Sequence, residues 1–336
     1  MNNDPKIELL KKKSVTAAVL ILFVAVFFVL QVFYAPLFDV LIVLLSVLVT
    51  IEIIGLFTRM GRPLYTAIAV IVPLLFFALI IIGFIWSVAA LWLFLIALGI
   101  MLVCYIGCVI WGFVYKKEIS EDTFAAATGM SAGRFIIFKA NNTLGIFIYP
   151  NFLLFFMYLI NHINTLKLGD VASVYGGTSI ALFGLILLFA VTSMSDTFAN
   201  ITGTFLKGPK VFPVREGKIY SGVFYPNGGP ISANKTWSGC IGGLFGGMIA
   251  GVVVYFIFAS IFPAWYSHIF WWQFLIVGFF GSVVAQIGDL FESYLKRKAK
   301  VKDAGTLLKS HGGVADRVDA LVFNTPFIFI CLLLIL

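Results

Sequence analysis

The chain has 336 residues, 61% of them hydrophobic and 16% aromatic, with a mean hydropathy of +1.07. An ordinary soluble domain, whose apolar share is nearer ~45–50%, is excluded. Charged residues are only 11% of the chain, so the net charge of +8 must be read from where the cations sit, not as affinity for nucleic acid.

Apolar stretches long enough to cross a ~30 Å hydrocarbon core, about 20 residues each, fall near 15–34, 37–57, 65–85, 87–114, 143–160, 177–200, 238–262, 269–291 and 319–336. The expected fold class is an all-α polytopic membrane protein of about nine transmembrane helices. Lys11, Lys12 and Lys13 precede the first stretch, as in a secretory signal. No small-residue cleavage site follows it, however, and Tyr34-Ala35-Pro36 leads straight into the next span. Glu52 is an acid inside the second stretch, about two turns from Arg59, and is expected to reach the interface or pair there. Cys104 and Cys108, four apart with no nearby His, read as packing residues. Segment 116–142, partly amphipathic over KEISEDTFAAATG, reads as an interfacial helix, and His162 and His268 read as incidental residues of outer loops.

Charge placement then orients the chain. With the N-terminus cytoplasmic, the inner segments hold 22 of the 23 Lys and Arg, and only Lys167 falls outside. That asymmetry is the positive-inside pattern, and it puts the C-terminus outside. Some of the cations also suit anionic lipid head groups on the cytoplasmic leaflet. The polar chemistry begins after residue 190, which divides the chain into a four-span scaffold (1–117), a middle segment (118–189) and a functional half (190–336).

Within that half, SDTFANITG (Ser195 to Gly203) ends the sixth span and offers Asp196 as a binding residue. Segment 207–231, rich in Gly, Pro and Tyr, reads as a flap or a β-hairpin. SANKTWSG (Ser232 to Gly239) enters the seventh span. There Ser232, Lys235 and Thr236 precede a helix N-terminus, an arrangement suited to phosphate oxygens. A Lys anchor beside an interfacial Trp is the plainer alternative. QIGDLFES (Gln286 to Ser293) closes the eighth span with Asp289, Glu292 and Ser293 on one helix face. Asp316 and Asp319 open the ninth, so a single loop brings two acidic pairs together. Carboxylates from two facing helices suit a hard divalent cation. Asp289 and Asp316 are the expected direct ligands of Mg²⁺, with Glu292 and Asp319 as further candidates. Interfacial salt bridges to Lys296, Arg297 and Arg317 are the structural alternative. In HGGVADR (His311 to Arg317), Gly312 and Gly313 permit close approach of main-chain N–H groups to an anion. Beside Lys302, His311 and Arg317 they read as a phosphate cradle.

The cassette from Ser293 to Asp319 resembles the signature of the phosphatidate cytidylyltransferases (CDP-diacylglycerol synthases). That pattern falls on Ser293, Leu295, Lys296, Arg297, Lys302, Asp303, Gly305, Leu308, His311, Gly312, Gly313, Asp316, Arg317 and Asp319, with every spacing kept. Lys309 departs from it, standing where a small residue or Pro is usual. SANKTWSG is similar to a second run of that family, with Ala233 in place of Pro and Ser238 in place of an acid. SDTFANITG matches a third at Asp196, Ala199 and Gly203, but Asn200 stands where an aromatic is usual and Thr204 where Arg is frequent. The resemblance implies condensation of CTP with phosphatidate at the cytoplasmic face of a bacterial-type membrane. It implies Mg²⁺ as cofactor and leaves open a second, monovalent cation and a homodimer. It implies catalytic roles for Asp289, Asp316, Lys296, Arg297 and Asp319. From their positions, Lys235 before the seventh span and beside Trp237 is expected to meet the lipid phosphate, and Arg297 at the end of the eighth, beside the metal acids, to meet CTP. A CTP-dependent polyprenol or phytol kinase, with an alcohol as acceptor, is the near alternative. A transporter or flippase with a charged pathway is the distant one.

Overall fold

The computed structural model describes residues 25–34, 36–85, 90–115, 129–163, 178–214, 218, 220–262, 269–308 and 312–335. These are helical at 25–33 and in nine further helices: α1 (Pro36–Arg59), α2 (Thr66–Ile85), α3 (Ala90–Val114), α4 (Ala132–Ile146), α5 (Leu153–Asn161), α6 (Thr178–Leu206), α7 (Trp237–Ile261), α8 (Trp271–Lys298) and α9 (Ala315–Ile335). A π-helical turn, Phe147–Phe152, joins α4 to α5 into one run.

Seven of the described helical runs are long and apolar enough to cross a membrane, with α4–α5 counted as one, so this is a multi-pass membrane protein. The expected nine are not reached among the described residues. The first expected span lies largely outside them. The third is helical over Thr66–Ile85 but is not among the seven. The fifth starts at Ala132, eleven residues before its expected start at 143. Residues 132–142 are therefore the opening turns of a buried span, with Phe135 and Ile136 fully buried, and not an interfacial helix. The amphipathic residues at 116–128 lie outside the described set, as do Lys167 and His268.

The functional half is an antiparallel bundle, in which α7 packs against α6 and α8, and α8 against α9. Its tightest seams are glycine-lined. A Cβ on Gly246 would lie 2.5 Å from the Met194 carbonyl oxygen of α6, and one on Gly247 2.6 Å from the Gly278 carbonyl oxygen of α8. Hydrocarbon supplies no hydrophobic drive between helices, so such backbone-to-backbone approach is where dispersion contacts accumulate. Helix α7 carries Gly239, Gly243, Gly247 and Gly251 at intervals of four, one stripe facing its neighbours.

Helix α1 is pinned to the α4–α5 run by polar contacts inside the bundle. Asn151 donates to Thr50 Oγ1 and to the Ile146 carbonyl, each at 3.0 Å, and Ser46 donates to Asn151 Oδ1. This fixes the axial register of α1, and with it the height of Glu52. Segment 207–231 forms no hairpin among the described residues. It makes one isolated bridge, Lys210 with Thr236, and a 3₁₀ turn at Pro226–Gly228.

Candidate active site

Because α6 and α8 end where α7 and α9 begin, their polar ends converge on one side of the bundle. They enclose a cavity of about 880 Å³. Asp196, Ser232, Lys235, Thr236, Asp289, Asp316, Arg317 and Asp319, all expected from sequence, line it. Lys296, Arg297, Glu292, Lys302, Gly312 and Gly313 do not. His311 and Lys309 lie outside the described residues.

Thr236 is the N-cap of α7, its side chain accepting from Gly239 N–H at 3.2 Å. The cap turns the chain so that Lys235 reaches across to α8. Its Nζ donates to Asp289 Oδ2 at 2.8 Å and to the Gln286 carbonyl at 3.3 Å. Lys235 stands among the acids rather than apart from them. Arg297 turns to the Val301 carbonyl at 3.4 Å, and its own carbonyl accepts from Asn227 at 2.6 Å. The reason is positional: Arg297 is eight residues past Asp289, on the last turn of α8, beyond the cavity.

The acids divide into two groups. Asp289 keeps 41% of its side chain exposed to the cavity. Asp196 and Asp319 face the same space, Asp319 largely buried and accepting from Ala320 N–H at 2.7 Å. Asp316, although at the cavity edge, is occupied at both oxygens. Oδ1 accepts from Lys296 at 2.7 Å; Oδ2 accepts from Gly313 N–H at 2.7 Å and Ala304 N–H at 2.9 Å. Lys296 also pairs with the fully buried Glu292 at 2.5 Å. The Glu292–Lys296–Asp316 chain therefore ties the end of α8 to the start of α9. It realises the salt-bridge alternative for these three residues; Asp319 adjoins the chain at Glu292, while Asp289 pairs separately with Lys235.

The glycine pair behaves differently from its expected role. Gly312 adopts φ +81°, which favours glycine, and its carbonyl accepts from Leu308 N–H at 3.0 Å. The Gly313 amide is directed at Asp316 and not into the cavity. Lys302 is exposed on the loop.

Several lining residues were not singled out as binding groups. Asn200 and Thr204 stood out only as departures from the resembled pattern, yet both line the cavity, as do Lys207, Lys210 and Gln286. Asp196, Asn200, Gly203 and Thr204 share one face of α6 at helical spacing, so a polar stripe of that helix faces the cavity, with Lys207 just past its end. That spacing is readable in sequence. Ser238 accepts from the Gly208 amide at 3.1 Å and draws the start of segment 207–231 onto α7.

Among the described residues no group of three or more His, Cys, Asp or Glu side chains closes around one point. The cavity instead offers carboxylate oxygens from three helices. This suits Mg²⁺, which takes one or two protein carboxylates and fills its octahedron with water and phosphate oxygens.

The cytidylyltransferase family model matches residues 11–335. The phosphatidate cytidylyltransferase of Brucella abortus biovar 1 (strain 9-941) is 36% identical over 146 residues, covering 44% of this chain and 45% of that protein. The proteins of the same name from Rickettsia felis and Rickettsia conorii are 33% and 31% identical over 149 and 150 residues, covering 43% and 44% of this chain and 56% of each relative. The chain thus spans about half the length of the curated relatives it matches.

Proposed function

The chain belongs to the cytidylyltransferase family, and from that premise we propose that it transfers the cytidylyl group of CTP to phosphatidate, giving CDP-diacylglycerol and pyrophosphate. The observation that carries this reading is the single cavity in which Asp196, Asp289 and Asp319 stand beside Lys207, Lys210, Lys235 and Arg317. Acids alone would suit a cation and cations alone an anion. The mixture suits a polyphosphate that arrives with its metal.

In the reaction a phosphatidate phosphate oxygen attacks the α-phosphorus of CTP, and the bond to the bridging oxygen breaks as pyrophosphate leaves. The attacking phosphate is already ionised at neutral pH, so the chain need not supply a strong base. Its task is positioning and charge neutralisation. Lys235, held by Asp289 and the Gln286 carbonyl, presents its charge at a fixed point. Lys207, Lys210 and Arg317 surround the remaining volume and share the phosphate oxygens as charge-assisted donors. Asp289 and Asp319 are the proposed Mg²⁺ ligands, with Asp196 facing them; Asp316, both oxygens occupied, orders the loop. A bound Mg²⁺ would supply charge neutralisation to the triphosphate. The apolar faces of α6 and α7 beside the cavity, where Phe205 and Trp237 are exposed, suit lateral entry of the acyl chains from lipid.

The N-terminus and the cavity are proposed to face the cytoplasm, supported by 22 of 23 cations lying on segments of that side. In a variant without the four native cysteines, Phe270→Cys should react with an impermeant thiol reagent applied outside, and Lys218→Cys only after permeabilisation. The opposite result at both sites reverses the orientation.

The activity is tested with purified protein, phosphatidate and CTP labelled at the α-phosphate. Label appearing in lipid is the expected result. Lipid labelled instead from the γ-phosphate, with an alcohol acceptor, would assign the kinase reaction.

A further inference from the structure

Glu52 does not line the cavity, and the reaction as proposed does not use it. It belongs to α1, yet its carboxylate reaches the start of α9. One oxygen accepts from Val314 N–H at 3.0 Å and the other from Ala315 N–H at 2.7 Å, across 262 and 263 residues of sequence. The loop closes round it. A Cβ added to Gly305 or to Gly313 would collide with the Glu52 carboxylate. Both glycines belong to the polar cassette, and their lack of a side chain admits an acid from the scaffold at those two positions.

The first N–H groups of a helix have no partner within it, and the helix dipole favours an anion there. In α9 these groups are divided between two carboxylates. Gly313 N–H goes to Asp316 of the helix itself; Val314 and Ala315 go to Glu52. The first turn and the residue after it carry Arg317 and Asp319 into the cavity. The orientation of that turn thus depends on an acid whose height is fixed by Ser46, Thr50 and Asn151 in the N-terminal half. We propose that Glu52 is a positioning residue for the transfer site, clamping the first turn of α9 so that Arg317 and Asp319 face the cavity. This rests on the function proposed above as regards catalysis, but not as regards the clamp.

The test uses the full-length protein in lipid nanodiscs, with Glu52→Gln as the near-isosteric variant. The amide side chain keeps one acceptor and sets an N–H donor against a backbone N–H. Hydrogen exchange at Val314 and Ala315 should accelerate by roughly tenfold or more, as for loss of a charge-assisted bond. The kcat per folded molecule should fall by about ten- to hundredfold. The KM for CTP should move less than kcat, because Lys207, Lys210 and Lys235 are untouched. Glu52→Asp keeps the charge but is one methylene short, and should lie between wild type and Gln on both readouts. It carries the test should the Gln variant fail to fold. A merely structural role would lower thermal stability while leaving exchange at these two amides and kcat per folded molecule unchanged, and that result overturns the proposal. Wild-type protein that transfers no label would instead defeat the proposed function, while the exchange comparison would still decide whether Glu52 holds the turn.

Discussion

Two polar clusters lie at opposite ends of the bundle, and they differ in what they leave unspent. At one end Asp39 accepts from Asn161 at 2.8 Å and pairs with His162 at 2.8 Å, and all three are buried. The His162 ring lies 4.6 Å from that of Tyr158. Every charge there meets a protein partner, which is how a bundle tolerates an acid away from water. At the other end Asp289, Asp319 and Asp196 open with four cations into about 880 Å³. The Glu292–Lys296–Asp316 chain lies beside them: Asp316 meets three donors, and Glu292 is engaged through its ion pair with Lys296. Ionisable residues in a membrane protein therefore need sorting by unused capacity rather than by number. A spent cluster holds helices together, and an open one awaits a ligand.

That contrast breaks if an open residue can be neutralised without loss of turnover. The largest effect is expected from Asp289→Asn, with turnover falling by at least roughly a hundredfold. Its partner Lys235 keeps the Gln286 carbonyl, so thermal stability should change little. Retention of activity across a Mg²⁺ titration would remove Asp289 from the site. Lys235→Ala comes next, with a ten- to hundredfold fall expected for loss of a charge-assisted contact to phosphate. Because Lys235 stands on Asp289, the CTP dependence should change more than the phosphatidate dependence when each substrate is varied in mixed micelles. Asp316→Asn tests the boundary between open and closed. It should lose activity and also weaken the loop, seen as faster hydrogen exchange at Gly313 and Ala304. A loss of activity with exchange unchanged would return Asp316 to the metal.

Much of the open cluster was legible because its residues come in short runs at span ends. The starts of α6, α7 and α8 lie within two residues of the expected starts at 177, 238 and 269. Their ends were less visible. Helix α6 runs to Leu206 and α8 to Lys298, past the expected 200 and 291, because polar residues continue each helix beyond where hydropathy alone would stop it, facing the cavity in α6 and joining the ion-pair chain in α8. Helix α9 begins four residues before 319, since its N-terminal amides are capped by Glu52, an acid no local window contains. The α7 glycine stripe could have been found from its spacing of four. Asp39 and His162 could not, because their pairing joins residues 123 apart and Asp39 stands alone in an apolar run. His162 read as incidental in a loop; in the fold it is buried at the end of α5, since the bundle closes over the acid it meets.

The smallest effect on turnover is expected at that closed cluster, where the effect on stability should be large. Asp39→Asn leaves His162 facing an amide instead of a carboxylate and removes the charge that both partners share. Losing a hydrogen bond to a buried charged group typically costs about 1.5–3 kcal/mol. Thermal unfolding in micelles should show a lower midpoint than wild type. The remaining folded protein should turn over at the wild-type rate, because Asp39 lies at the start of α1 and the cavity at the opposite end of the bundle. His162→Gln should act in the same direction. Additivity offers a sharper check: the double variant should cost less than the sum of the two single changes, since either one already empties the pair. A fall in kcat per folded molecule comparable to that of Asp289→Asn would show that the two ends are coupled. Closed clusters could then no longer be read as structural on their geometry alone.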